Sequence, residues 1–319
     1  MRILLALALC VVPFSAPLIA ATCDLIIEDK VLGRNIPARL TLPEGEGRVP
    51  LVLWSPGMGG GLEQGAVYAA AWAKAGIATL QLRHPGSDVE AYRRANAAAA
   101  RETQPAQARA ARARVVQEAT GPRQILARMG DMAAAQARVA QGGRAGACSL
   151  TRVDAGRLGV AGHSMGAWVA QLLVGQRVVG LSVPRLPVRA ALVVSGAPLV
   201  TPDPPLAASL ANVRRPVMVM TGTLDGVRAG APSEVREGAM AQRTAFWHGL
   251  PPEEKYLLVA EGADHMQLAG TRGRMPEALA ARLAAVSSDF WRVHLLYDGE
   301  AAARLVAPEL APGDRYQRK

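Results

Sequence analysis

Five residues carry the strongest chemical signal in this chain: Gly162-His163-Ser164-Met165-Gly166. They spell G-x-S-x-G, a pattern in which a serine rides a sharp strand-to-helix turn. A serine hydroxyl is a poor nucleophile until a base takes its proton. The usual base is a histidine held in place by a buried carboxylate. His248, His265 and His294 follow the serine. His294 falls inside a helical apolar repeat, and His248 in an irregular, Pro-flanked segment. His265 stands just past the apolar run Lys255 to Ala260, where a loop can swing its ring over Ser164. Asp225 likewise follows the run Pro216 to Thr221 and is the first choice for the carboxylate. Asp203, after the preceding run, is the alternative. Asp264 is taken as a loop residue pointing away from His265.

Attack on a carbonyl puts charge on its oxygen, which needs preorganised donors. One expected donor is the backbone N–H of Met165, at the positive end of the helix that the turn opens. The second is expected from Ser55-Pro56-Gly57-Met58-Gly59-Gly60-Gly61, with Met58 as the donor. That stretch lacks the Gly-Lys-Ser/Thr ending of a P-loop and the G-x-G-x-x-G spacing, so it is not a phosphate cradle. His163 is read as scaffold packed against the sheet, because neighbours on a strand face opposite ways. His84, in Arg83-His84-Pro85-Gly86, is read as a structural loop histidine.

These residues need elements to position them. Leu51-Val52-Leu53-Trp54 is a continuous apolar run bounded by turns, the look of a strand buried on both faces. Ile77 to Leu82, Arg157 to Ala161, Ala190 to Ser195, Pro216 to Thr221 and Lys255 to Ala260 read the same way. Shorter strands are expected at Leu25 to Ile27 and Ala38 to Leu42, with Gly33-Arg34-Asn35 as their turn. Helices are expected over 63–75 (Val67, Ala71 and Trp72 inward), 122–140, Ser164 to Gly175, around 238–246, and 276–297. Residues 90–120 are Ala/Arg-rich and helical by propensity, with too few large apolar residues for a second core. They are expected to form an insertion or partial cap. The tail from Ala307 is polar and expected to fray. Strands alternating with helices predict a single α/β domain over 22–319, on a mostly parallel sheet flanked by helices. Ligands would sit at the carboxyl ends of the strands.

The 319 residues carry a net charge of +10. Eight arginines lie between Arg93 and Arg128, against Glu102 and Glu118. They are not interleaved with aromatics, so a solvated helical face is expected and nucleic acid is not. The chain opens with Met1-Arg2, an apolar run from Ile3 to Val12, the breakers Pro13 and Pro17, and Ala20-Ala21. This is the pattern of a secretory leader, residues 1–21, cleaved after Ala20 or Ala21. Leu9 before Cys10 and Thr22 before Cys23 do not fit a lipoprotein signal. The expectation is a periplasmic or secreted protein with no stable membrane insertion once the leader is cleaved. Removing Cys10 leaves Cys23 and Cys148, an even pair in an oxidising compartment, where a disulfide is expected. Neither cysteine has metal-site spacing.

The blocks Val49 to Gly60, Arg83 to Asp88, Arg157 to Gly166, Gly222-Thr223-Leu224-Asp225-Gly226 and Gly262-Ala263-Asp264-His265 occur in one order along the chain. Together they resemble the bacterial predicted dienelactone hydrolases, a group similar to platelet-activating-factor acetylhydrolases and to secreted polyester-cleaving esterases. The resemblance spans nearly the whole chain after the leader. It implies an α/β-hydrolase fold and a serine carboxylesterase acting on small to medium esters, with no metal or organic cofactor. The group usually has His-Gly where this chain has Pro56-Gly57. Dienelactone hydrolases proper use a cysteine nucleophile, so with Ser164 that reaction is not expected. A peptidase or amidase on the same triad, or a catalytically silent binding protein, are the alternatives.

Overall fold

A computed structural model describes residues 21–199, 205–228 and 230–319. Nearly all of the leader, with Cys10, and the alternative acid Asp203 lie outside the described residues. The elements run β1 (Ala21–Asp29), β2 (Arg34–Leu42), β3 (Val49–Ser55), α1 (Ala66–Lys74), β4 (Ala78–Leu82), α2 (Val89–Ala100), α3 (Pro105–Thr120) and α4 (Pro122–Ala140). A small hairpin, β5 (Arg144–Ala145) and β6 (Cys148–Ser149), precedes β7 (Val153–His163) and α5 (Met165–Val174). Then come β8 (Val188–Val194), α6 (Leu206–Leu210), β9 (Val217–Leu224), α7 (Ser233–Gly249), β10 (Lys255–Asp264), α8 (Glu277–Trp291), α9 (Gly299–Val306) and β11 (Arg315–Arg318).

The main sheet has nine strands in the order β1-β2-β4-β3-β7-β8-β9-β10-β11. The six from β4 to β10 are parallel, and the outer strands pair antiparallel. Both faces are covered, and the strands alternate between two cores. Leu51 and Leu53 of β3 join the core with α4, α5 and α7, whereas Val52 and Trp54 join the core with α1, α8 and α9. The same alternation puts Val219 of β9 on one face and Met218 and Met220 on the other. Strands buried on both sides have no polar face to show, which is why they read as unbroken apolar runs.

The path from β3 through α1 goes to β4, on one side of β3. The next long strand, β7, sits on the other side of β3. The strand order therefore reverses between β3 and β7, and the carboxyl ends of those two strands frame a crevice. The 55–61 loop and the Gly162–Gly166 turn both open there.

Several elements differ from the expectations. The helical stretch expected over 90–120 is divided into a hairpin of two helices, α2 and α3. In α1 the buried side chains are Tyr68, Ala69, Trp72 and Ala73, while Val67 and Ala71 are half-buried. The β1–β2 turn is Lys30 to Gly33, stabilised by Asp29 Oδ1, which accepts the Val31 and Leu32 N–H groups at 2.9 and 3.0 Å. α7 begins at Ser233 and carries His248 in its last turn. The tail does not fray. Its β11 adds an edge strand to β10, Lys255 and Lys319 exchange backbone bonds at 3.0 and 2.9 Å, and Asp314 accepts the Glu261 N–H at 2.8 Å.

Cys23 and Cys148 form a disulfide that ties β1 to the β5–β6 hairpin across 125 residues. A loop of that length gives the cross-link about 5 kcal/mol on the chain-entropy account. Cys148→Ser should lower the urea midpoint by a corresponding amount in non-reducing buffer. Adding reductant should bring the wild type to the same midpoint.

Candidate active site

The turn at Ser164 is built by close approach. A Cβ on Gly162 would stand 2.1 Å from the Gly166 carbonyl oxygen, and one on Gly166 would stand 1.9 Å from that of Ser55. Only glycine fits either place, so the first and last residues of the pattern are fixed by packing. Between them Ser164 has φ 55°, a left-handed conformation that serine seldom adopts. The turn leaves its hydroxyl half-exposed at the start of α5.

His265 follows β10 directly. Asp264 Oδ1 accepts the Met266 and Gln267 N–H groups, both at 2.8 Å, and so shapes the loop that carries the ring. The Tyr68 hydroxyl and the Gly65 N–H bind the Leu268 and Ala269 carbonyls at 3.1 and 2.8 Å, pinning that loop to α1. The structure brings His265 Nε2 to 3.1 Å from Ser164 Oγ, and His265 Nδ1 to 2.8 Å from Asp225 Oδ1. An ionised carboxylate only accepts, so Nδ1 carries the proton and Nε2 is free to take the one from Ser164.

Asp225 is buried at the end of β9. The Thr221 hydroxyl donates to its Oδ2 at 2.8 Å, and Arg243 Nε of α7 lies 3.2 Å from its Oδ1. Burial works to raise its pKa. The His265 hydrogen bond, the Arg243 charge and the Ser195 hydroxyl outweigh it and hold Asp225 below the ordinary carboxylate value. Ser195, at the end of β8 with φ 53°, is wholly buried and sets its Oγ 2.6 Å from His265 Nδ1. Its carbonyl accepts Arg243 Nη1 at 3.2 Å. Neither Ser195 nor Arg243 was picked out from the sequence. Ser195 ends an apolar run and Arg243 lies in a polar helix, so neither stands out by type.

His163 is not simply packed on the sheet. Its ring lies 4.7 Å from that of His265, and its Nε2 meets the His265 carbonyl oxygen at 2.8 Å. A carbonyl cannot donate, so Nε2 holds the proton and His163 supports the backbone of the residue above Ser164. Burial, and then the neighbouring His265 charge, lower the His163 pKa to about 3, which keeps it neutral.

On the loop after β3, the Gly57 N–H donates to Gln64 Oε1 at 2.8 Å. That amide is thereby occupied, and Met58 supplies the next N–H along. Met165 is the first residue of α5, whose opening N–H groups have no intrahelical acceptor. α2 and the turn before it touch this loop: Gly59 donates to the Ser87 carbonyl at 2.8 Å, and a Cβ at Gly59 would lie 3.3 Å from Tyr92 Cβ of α2. Arg112 of α3 stands over the Tyr92 ring at 5.5 Å. Among the described residues no cluster of three or more His, Cys, Asp or Glu side chains has metal-binding geometry, and no helix is long and apolar enough to cross a membrane.

No protein-family model matches the chain, and no curated protein matches it. Solved structures do. A dienelactone hydrolase from Anabaena variabilis aligns with TM-score 0.53 and 16% identity, covering 86% of this chain and 99% of that one. A 2,6-dihydroxy-pseudo-oxynicotine hydrolase aligns with TM-score 0.52 and 17% identity, covering 92% of this chain and 72% of that one. At such identities the likeness is one of fold. The chain has the α/β-hydrolase fold, with a mostly parallel sheet between helical layers.

Proposed function

We propose that this chain is a serine carboxylesterase that cleaves small to medium carboxylic esters. The observation that carries the reading is the relay from Asp225 through His265 to a Ser164 held on a strained turn beside the 55–61 loop. Ser164 Oγ attacks the ester carbonyl as His265 Nε2 takes its proton. Asp225 holds the resulting imidazolium. The Met58 and Met165 N–H groups hold the oxyanion, and the proton passes to the departing alkoxide to give the alcohol. Water then attacks the acyl-serine, again through His265, and frees the acid and Ser164. These steps need no metal or organic cofactor. The disulfide and the leader-like start of the chain support a periplasmic or secreted location. The contact of Tyr92 with the 55–61 loop supports a bounded acyl site.

A fluorophosphonate probe should label the wild type at Ser164, and Ser164→Ala should abolish labelling. Across p-nitrophenyl esters of rising chain length, kcat/KM should peak at short or medium acyl groups. Labelling that survives Ser164→Ala would exclude Ser164 as the nucleophile, and a peak at long chains would exclude the bounded site.

A further inference from the structure

Arg128 of α4 is completely buried. The carboxylates that face it, Asp131 and Asp88, are engaged elsewhere. Asp131 binds Arg34 and His84, and Asp88 binds Arg83 and the Ala91 N–H. A guanidinium has five N–H donors in a fixed fork, and here each meets an acceptor. Nε donates to Ser87 Oγ at 2.8 Å. Nη1 donates to the Pro56 carbonyl at 2.5 Å and to Ser55 Oγ at 3.4 Å. Nη2 donates to the Gly57 carbonyl at 3.2 Å and the Ser87 carbonyl at 3.3 Å. Two of these acceptors, the Pro56 and Gly57 carbonyls, lie on the loop after β3, and a third, Ser55 Oγ, on the last residue of β3. A buried cation spent on loop carbonyls rather than on a carboxylate is an unusual use of charge.

The peptide geometry says what it achieves. A trans peptide is planar, with its C=O and N–H pointing opposite ways. Holding the Gly57 carbonyl toward Arg128 turns the Met58 N–H to the far side. On Gly57 a Cβ would stand 3.3 Å from Ser164 Cβ and 3.1 Å from His163 Nδ1, so the loop is pressed against the nucleophile there. The preceding peptide is fixed at both ends, its Pro56 carbonyl by Arg128 and its Gly57 N–H by Gln64. The Gly57 carbonyl also accepts the Gly60 N–H at 3.1 Å, closing a tight turn.

We propose that Arg128 is the positioning residue of the oxyanion hole, aiming the Met58 N–H by holding the Pro56 and Gly57 carbonyls. This rests on the esterase reading of Ser164. The guanidinium charge also polarises the Gly57–Met58 peptide and makes its N–H a stronger donor. Behind Arg128 stands a second Ser-His-Asp relay. Ser55 Oγ lies 2.9 Å from His84 Nε2, and His84 Nδ1 lies 2.7 Å from Asp131 Oδ2. Burial, then the Arg128 charge, lower the His84 pKa to about 4 against the pull of Asp131, so His84 is neutral. Nδ1–H donates to Asp131, Ser55 donates to Nε2, and Ser55 accepts from Arg128. All four side chains are fully buried, so no ester reaches Ser55. The relay orients the clamp and performs no chemistry.

Arg128→Lys keeps a cation but offers donors from one point instead of a fork. In a variant with wild-type circular dichroism, kcat on p-nitrophenyl butyrate should fall roughly 100-fold, as on loss of an oxyanion donor. KM should move less than about threefold. Affinity for a trifluoromethyl ketone, which forms a tetrahedral adduct at serine, should fall in step with kcat. Ser87→Ala, which removes one acceptor from Arg128, should give a smaller loss in the same direction and carries the test if Arg128→Lys does not fold. Amide exchange at Gly57 to Gly60 should quicken in both variants. Unchanged kcat in folded Arg128→Lys, or lost kcat with unchanged ketone affinity, overturns the proposal. If wild-type Ser164 takes no fluorophosphonate, the esterase reading fails by itself, and exchange at Gly57 to Gly60 still decides the clamp: unaltered exchange sinks it.

Discussion

Asp225→Asn should lower kcat by about 10⁴-fold without unfolding the protein, as exchange of a triad carboxylate for its amide does elsewhere. Asparagine has nearly the same shape, so the Thr221 hydroxyl can still donate to the side-chain oxygen. What changes is the partner of His265. A carboxylate can only accept, so it fixes the proton on Nδ1. An amide can turn its NH₂ group toward Nδ1 and stabilise the other tautomer, with the proton on Nε2, 3.1 Å from Ser164 Oγ. That nitrogen then cannot accept the serine proton. The substitution also removes the negative charge that stabilises the imidazolium and leaves Arg243 without its ion partner. Asp203→Asn should change kcat less than about tenfold. Steady-state kinetics on one p-nitrophenyl ester, with circular dichroism of each variant, reads the difference. A larger loss for Asp203→Asn would move the acid to that position.

Ser164, His265 and Asp225 were legible as candidates because each lies at the end of a strand buried on both faces. Such strands announce themselves as apolar runs, and the residue after the run marks the carboxyl edge of the sheet. Ser195 sits at such an end too, but serine after a strand is common and nothing in the local pattern marks it as a neighbour of His265. Arg243 reaches Asp225 from a helix whose exposed face is polar, so its partner is set by tertiary packing alone. Arg128 did leave a trace. It stands with Asp131 in the stripe of Ile125, Met129 and Met132, and charged residues three apart on an apolar face point to a buried polar network. Counted only as part of the basic excess between Arg93 and Arg128, it looked like surface. The lengths of β1 and β2 were underestimated because antiparallel strands near a sheet edge alternate and expose half their residues. β11 is an edge strand of polar residues, Arg315-Tyr316-Gln317-Arg318, and has no apolar signature at all.

Three buried histidines should make the fold acid-sensitive well above the range in which its carboxylates protonate. The pKa of His163 is lowered to about 3, and those of His84 and His294 to about 4, in each case first by burial. In the unfolded chain all three return to about 6.5. Above that pH both states are neutral at these sites and the histidines contribute no pH dependence. As pH falls from about 6.5 toward 4, the unfolded chain binds protons that the fold refuses, so unfolding becomes easier. Three protons correspond to a slope approaching roughly 4 kcal/mol per pH unit at its steepest. Asp225, held below its ordinary value, adds to the loss only below about pH 4, where its unfolded form protonates. Urea unfolding at constant ionic strength from pH 7.5 to 4.5 should therefore show a plateau, then a steep fall beginning near pH 6.5. His294 tests the origin of that slope without touching the Ser164–His265–Asp225 relay. Its ring packs 4.8 Å from Phe290 and 5.8 Å from Tyr256, an aromatic setting that accepts phenylalanine. His294→Phe should keep the plateau and remove about one third of the slope. A wild type whose stability stays flat down to pH 5 would show that the three rings gain protons in the fold as readily as in the unfolded chain.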